Sequence, residues 1–274
     1  MEENNKIKVA IIAGVHGNEL QTVYECNNIM HTIDKVKHES NLYDKLDIKF
    51  NPFINFNGIR ENNRDYVNYG DINRMMTEYN GIAELNSLID WCDIIIDMHC
   101  SPRCADFMFL DIVQYKVGNI VEWCKQHNIL YGINHANNNT IKNYASSKGK
   151  IALTWEQSGM EIINYLHSSH VINTFITDII PSLPELITVD TINTKLEIIN
   201  SVISDNEGII AWYKDVGERI SKGDTLCEIT DYKTIIGDKP LTTIIKSPVD
   251  GVIIDLCPRD YTLRGWLLAE IQPM

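Results

Sequence analysis

Five short strand-like runs, over residues 7–13, 47–54, 94–99, 107–110 and 151–155, are built on β-branched and aromatic residues. They predict buried strands. Between them, apolar residues recur at helical spacing over 20–33, 82–92 and 112–127. Strand runs that alternate with helical ones predict an α/β domain. A further helix is expected over 161–179, ending before Pro181, because proline cannot donate the next helical hydrogen bond. Beyond Pro184 the texture changes. Short β-branched segments punctuated by Gly208, Gly217, Gly223, Gly237, Pro248, Gly251 and Gly265 predict a small all-β unit. The expected organisation is an α/β domain over 1–200 and a β-domain over 201–274.

Composition narrows the partners. A chain of 274 residues can bury a sizeable core, and 44% hydrophobic with 22% charged residues is ordinary for a globular protein. A formal net charge of −13 with no basic stretch argues against a nucleic-acid partner, and any anionic substrate would need locally placed arginines. No run approaches the length of a membrane span, so no membrane partner is expected. The polar start Met1 to Lys6 lacks the apolar core of a signal peptide, which points to the cytoplasm. Seven cysteines without regular spacing fit a reducing compartment, with Cys100 and Cys104 read as buried neutral thiols.

The chemistry gathers at the ends of the strand runs. Ile11-Ile12-Ala13-Gly14-Val15-His16-Gly17-Asn18-Glu19 closes an apolar strand with a glycine turn that carries an imidazole and a carboxylate three residues apart. Hydrolytic zinc sites commonly use three protein ligands of the His2Glu kind and keep a fourth position for water. Of the eight histidines, His99 in Ile96-Asp97-Met98-His99 is the best second imidazole, because it too ends an apolar run. In open parallel sheets, sites form at the carboxyl ends of strands. Asp97 is a candidate to orient an imidazole. A hydrolase also needs a base outside the ligand set, and Glu156, after the run 151–155, is the strongest candidate; an apolar pocket would raise its pKa toward neutrality. The stretch Asn51 to Arg74 has little apolar periodicity and three arginines, Arg60, Arg64 and Arg74, whose guanidinium groups suit bidentate contact with carboxylates.

Four ordered segments, Gly14-Val15-His16-Gly17-Asn18-Glu19, Asp71-Ile72-Asn73-Arg74, Asp97-Met98-His99 and Leu153-Thr154-Trp155-Glu156, resemble the motifs of the succinylglutamate desuccinylase/aspartoacylase family of zinc deacylases, relatives of the zinc carboxypeptidases. Segments 208–224 and 247–251 resemble that family's C-terminal β-domain. The resemblance implies a carboxypeptidase-like mixed sheet flanked by helices, plus a small lipoyl-like barrel. It implies one zinc per chain on His16, Glu19 and His99, with Glu156 as general base in the attack of a zinc-bound water on an amide. Arg64 would polarise the scissile carbonyl, with Arg60 competing for that role, and Asn73 and Arg74 would hold a substrate carboxylate. Lys142 stands where many relatives have arginine, which changes the grip on substrate from a fork to a point charge.

The expected activity is hydrolysis of a linear amide in a small N-acyl substrate that carries a carboxylate, by a chain that could form a homo-oligomer. The alternatives are a carboxypeptidase-like peptidase, a non-catalytic zinc protein, and a carrier modified at Lys233 in the lipoyl-like region. The long stretch between Lys233 and Pro248 does not match a carrier's tight hairpin.

Overall fold

The computed structural model describes residues 6–37, 41–67, 69–76, 82–135, 139–160, 162–188, 190, 194–234 and 241–274. Glu161 and Gly237, used above as element signals, lie outside them. The N-terminal part holds a six-stranded sheet built from β1 (Ile7–Ala13), β2 (Leu46–Asn51), β3 (Ile94–Ser101), β4 (Phe107–Asp111), β5 (Tyr131–Asn134) and β6 (Ile151–Ser158). The strand order is β2-β1-β3-β6-β4-β5. Strands β2, β1, β3 and β6 run parallel, whereas β4 pairs antiparallel with β6 and carries β5 parallel to itself. The sheet is therefore mixed.

Its helices are α1 (Leu20–Val36), α2 (Phe56–Glu61), α3 (Ala83–Trp91), α4 (Val117–Gln126), α5 (Ile141–Ser147), α6 (Tyr165–Thr174) and α7 (Ile180–Thr188). Strand alternation sorts the central side chains to the two faces. Val9, Ile11, Ala13, Ile94, Ile96 and Met98 pack with α1 and α4 on one face. Ala10, Ile12 and Ile95 pack with α3 and α5 on the other. Burial on both faces is why the central runs read as continuous apolar stretches.

Two elements differ from the sequence reading. The helix expected to stop before Pro181 runs on: α6 passes through a π-helical turn, Phe175–Ile179, into α7, which contains Pro181 and Pro184. In that π-helical turn the Ile176 carbonyl accepts a hydrogen bond from the Tyr43 hydroxyl at 2.9 Å. The stretch from Asn51 to Arg74 is not all loop either. Asn55 accepts from the Gly58 amide and caps α2, and Ile72–Arg74 forms a 3₁₀ turn.

From β7 (Asn200–Ile203) onward the chain is all β, with β8 (Gly208–Trp212), β9 (Arg219–Ile220), β10 (Thr225–Thr230), β11 (Thr242–Lys246), β12 (Gly251–Leu256), β13 (Tyr261–Thr262) and β14 (Leu267–Pro273). Where the sequence reading has a lipoyl-like barrel, the structure shows two four-stranded antiparallel sheets, ordered β11-β10-β8-β13 and β7-β14-β12-β9. Leu226, Ile253 and Ile271 belong to one of their apolar clusters, Ile210, Cys227 and Leu268 to the other, and Val202, Trp212 and Ile245 pack on both. The unit docks on the α/β part through Cys104, Phe107, Ile199 and Ile254. Backbone bonds from Ala105 to the Ile254 carbonyl (2.8 Å) and from Leu256 to the Arg103 carbonyl (3.0 Å) tie β12 to the loop after β3.

The turn after β1 depends on its glycines. Gly14 has φ of +66°, and a Cβ at Gly17 would lie 2.1 Å from the Gly58 carbonyl carbon and 2.4 Å from the Asn63 oxygen. These are backbone neighbours with little room to move. Gly17→Ala is expected to destabilise the protein by about 1–3 kcal/mol, measured by urea unfolding. An unchanged midpoint would show that the turn is looser than this packing implies.

Candidate active site

His16 and Glu19 leave the end of β1, and Glu19 stands immediately before α1. In the parallel register Ala13 pairs with Met98, so His99 sits one step past the end of β1 on the neighbouring strand. Across β3 and β6, His99 pairs with Glu156. Three strand ends thus bring residues far apart in sequence to one point at the carboxyl edge of the sheet.

The geometry there is that of a ligand cluster. His16 Nδ1 lies 2.6 Å from Glu19 Oε1, His99 Nδ1 lies 3.0 Å from Glu19 Oε2, and the two Nδ1 atoms are 3.1 Å apart. All three residues are buried, and their donor atoms lie within 4.8 Å of one another, so the cluster could hold a metal ion. Each imidazole turns its other nitrogen to a carboxylate: His99 Nε2 is 2.8 Å from Asp97 Oδ2, and His16 Nε2 is 3.1 Å from Asp71 Oδ1. That is the arrangement by which metal-binding histidines are oriented and made more basic. The residues present therefore fit a His2Glu metal site on the chemistry of the donor set and on how both rings are held.

Electrostatics follow from the crowding. Burial alone would raise the Glu19 carboxyl, yet the facing imidazoles of His99 and His16 hold it at about 2. Burial works against a charged His99, but the Asp97 and Glu19 carboxylates raise its pKa well above the usual imidazole value. Glu156 is pushed up to about 7, chiefly by burial, with the Glu19 and Asp97 carboxylates adding to it and the two imidazoles opposing. A carboxyl near neutrality suits proton transfer.

These residues line a cavity of 450 Å³ together with Arg64, Asn73, Arg74 and Lys142. Arg64 is half exposed; its Nε and Nη2 donate to Asp71 Oδ2 at 3.1 and 2.9 Å, and its Nη1 lies 3.6 Å from Glu19 Oε1. The Asn73 side chain accepts from the Ile141 amide at 2.9 Å, and Arg74 Nη1 donates to the Asn73 carbonyl at 2.7 Å. Lys142 is buried at the start of α5, with Nζ 3.3 Å from Asp111 Oδ1 and 4.1 Å from the centre of the Phe109 ring. Its charge is already partnered. Arg60 is exposed on α2 and lies outside the cavity lining, because the αL turn at Asn62 ends that helix before the chain reaches the site. Cys100 and Cys104 line the cavity as free thiols, and burial drives both pKa values up, so they are neutral.

Sequence reasoning missed three contributors. Asp71, the partner of His16, was visible only as the first letter of its motif. Asp255 of β12 and Glu270 of β14 reach the cavity from the C-terminal sheets. Their one signal was an acidic residue inside an otherwise apolar strand pattern.

Among the described residues no helix is long and apolar enough to cross a membrane. No curated protein matches the chain by sequence. Among solved structures, a succinylglutamate desuccinylase from a Silicibacter species is 15% identical, with a TM-score of 0.70 over 98% of this chain and 85% of that one. The product-bound ectoine utilization protein EutE from Ruegeria pomeroyi is 14% identical, with a TM-score of 0.70 over 98% and 86%. Murine aminoacylase 3 is 13% identical, with a TM-score of 0.63 over 96% and 94%. At such identities the likeness is one of fold. The family model of the succinylglutamate desuccinylase/aspartoacylase catalytic domain matches residues 5–165, a segment that contains every ligand and base candidate above, and the chain belongs to that family.

Proposed function

We propose that the chain is a zinc-dependent deacylase that hydrolyses the amide of a small N-acylated amino acid. The observation that carries this reading is the convergence of His16, Glu19 and His99 in one cavity, with Glu156 in register beside His99 but outside the ligand set. Zinc, when bound, supplies a Lewis acid and lowers the pKa of water into the neutral range. Glu156 accepts the proton of the attacking water and delivers it to the leaving nitrogen. Arg64, at the mouth of the cavity, opposes the negative charge that develops on the carbonyl oxygen, a type of contact typically worth ~3 kcal/mol. Arg74 and Asn73 hold the substrate carboxylate. Lys142 keeps its pairing with Asp111 and contributes positive potential to that wall.

The make-up of the cavity wall favours this over peptidase action. Strands β12 and β14 form part of the cavity wall, which suits a small molecule better than a polypeptide. A carrier role for Lys233 finds less support: its Nζ lies 2.9 Å from Glu207, and the connection from Thr230 to Thr242 is long for a modification hairpin.

The test is hydrolysis of N-acetyl and N-succinyl amino acids and of short peptides by the zinc-loaded protein, followed by amine release. Turnover of an N-acyl amino acid that stops on chelation and returns with zinc is the expected result. Release of C-terminal residues from peptides in preference to deacylation would replace this reading with the carboxypeptidase one. Metal binding without hydrolysis of any of them would leave a non-catalytic zinc protein.

A further inference from the structure

The first two turns of α1 present polar side chains where they pack on the sheet. Gln21, Thr22 and Glu25 are fully buried there, and so is Gln157 of β6. Polar groups taken out of water cost stability unless they are paired, so such positions call for an account of their partners. Both glutamines use the two ends of their amides. Gln157 Nε2 donates to Glu25 Oε2, and Gln157 Oε1 accepts from Trp155 Nε1 at 2.8 Å. Gln21 Nε2 donates to the Ser158 carbonyl at 2.9 Å, and Gln21 Oε1 accepts from the Asn164 amide at 3.3 Å. The backbone amide of Gln21 adds a bond to the Met160 carbonyl at 3.1 Å. Residues 21 and 25 lie one turn apart on the same helix face. Helix α1 therefore grips residues 157–160 at two points.

The gripped segment and the gripping helix each begin at the candidate site. Helix α1 starts immediately after Glu19, and residue 157 follows Glu156. Strand alternation sends Gln157 to the face of the sheet that α1 covers, the face of Trp155, and sends Glu156 to the other, in register with His99. Strand β6 ends at Ser158, so only two strand residues lie beyond the Glu156 carboxyl to hold it. Glu19 has anchors of its own: the Cys100 amide donates to its Oε2 at 3.1 Å, and the Thr22 hydroxyl donates to its carbonyl at 2.8 Å. A loosened grip thus displaces Glu156 before it displaces Glu19. Burial raises the Glu25 carboxyl, and Gln157 is the foremost of the groups that oppose the rise. The neutral acid and the carboxylate both offer Gln157 an acceptor, so the contact survives either state.

We infer that Gln21 and Glu25 are positioning residues that hold the end of β6 against α1 and so fix Glu156 relative to the His16, Glu19 and His99 cluster. The inference rests on the deacylase reading for the role of Glu156, and on the buried polar contacts for the grip. Directional bonds of this kind select one arrangement of the elements they join, where apolar packing alone would tolerate sliding. Neither residue touches the cavity, and both act through the strand.

The test compares Glu25→Met and Gln21→Met, which remove the hydrogen-bonding ends at similar side-chain length, with Glu25→Gln, which keeps an acceptor for Gln157. The substrate is the N-acetyl or N-succinyl amino acid that the zinc-loaded wild type turns over fastest. Both methionine variants are expected to lose about 10–100-fold in kcat, the scale of a slightly misplaced catalytic group, with KM and zinc affinity within about threefold of wild type. Glu25→Gln is expected to restore kcat. Amide hydrogen exchange reads the strand without turnover: residues 156–159 should exchange at least about tenfold faster in Glu25→Met than in wild type or Glu25→Gln, with β1 unchanged. Wild-type kcat in both methionine variants overturns the inference. So does a loss in which zinc affinity, KM and exchange throughout the chain all change together, or failure of both variants to fold, because the contacts would then carry the fold as a whole. A wild type that hydrolyses nothing removes the deacylase reading, and unchanged exchange at 156–159 would then remove the grip as well; hydrolysis indifferent to both substitutions removes only this inference.

Discussion

Glu156→Gln is expected to keep one zinc per chain and to lower kcat by roughly 10²–10⁴-fold, the usual contribution of a positioned proton-transfer group. Glutamine has the shape of glutamate but cannot take a proton from water. Glu156 is not one of the three residues clustered as candidate metal ligands, so metal content should not change. The fold should not suffer either. Glu156 is partly buried, its carboxyl is pushed up to about 7, and the Glu19 carboxylate adds to that shift, so a neutral amide removes a repulsion. Metal analysis, thermal unfolding and steady-state kinetics on one preparation check all three statements. Near-native turnover with zinc in place would mean that another group moves the proton. Loss of zinc along with activity would mean that Glu156 belongs to the ligand set.

The second large effect concerns the metal. His99→Ala is expected to reduce zinc well below one per chain and to abolish activity, because the proposed three-residue site would keep only two donors. Asp97→Asn is the more discriminating change. The carboxylate touches His99 Nε2 at 2.8 Å, across the ring from the Nδ1 atom that faces Glu19, so its loss should weaken zinc binding by about 10–100-fold while leaving His16, Glu19 and His99 in place. Competition with a zinc-binding dye measures this directly. Zinc affinity should also fall as pH is lowered, because the raised pKa of His99 means that the metal must displace a proton from the ring. In the metal-free protein the same proton stabilises the fold below the ordinary imidazole pKa, and that contribution is lost as pH rises through the raised value. An Asp97→Asn variant with native zinc affinity would leave His99 oriented by packing alone.

Much of the fold was legible because its signals are local. Residues 7–13 are apolar apart from Lys8 and are bounded by Lys6 and Gly14, and β1 occupies those residues. The start of α1 at Leu20 follows from the glycine turn before it. The two places where local signals misled are also instructive. Pro181 reads as a stop, but the helix continues past it through a π-helical turn, where the distant Tyr43 hydroxyl donates to the Ile176 carbonyl. Arg60 competes with Arg64 for one role in a stretch without periodicity, yet α2, capped by Asn55 and ended by the αL residue Asn62, leaves Arg60 outside the cavity lining and Arg64 within it.

By itself the sequence determined which residue types were available at which strand ends: an imidazole and a carboxylate after residue 13, an imidazole at 99, a carboxylate at 156. Strand ends are set by hydrophobic periodicity, a property of short windows, and so such positions can be read from the chain. Only the tertiary structure decided which groups meet. The pairing of His99 with Glu156 is a matter of parallel register between strands far apart in sequence, and the Asp71 contact to His16 comes from a turn that packs across the site. One carboxyl pair is the extreme case. Asp255 and Glu270 become neighbours through a bulged ladder and reach the cavity through docking of the C-terminal sheets, two long-range events that no local pattern encodes.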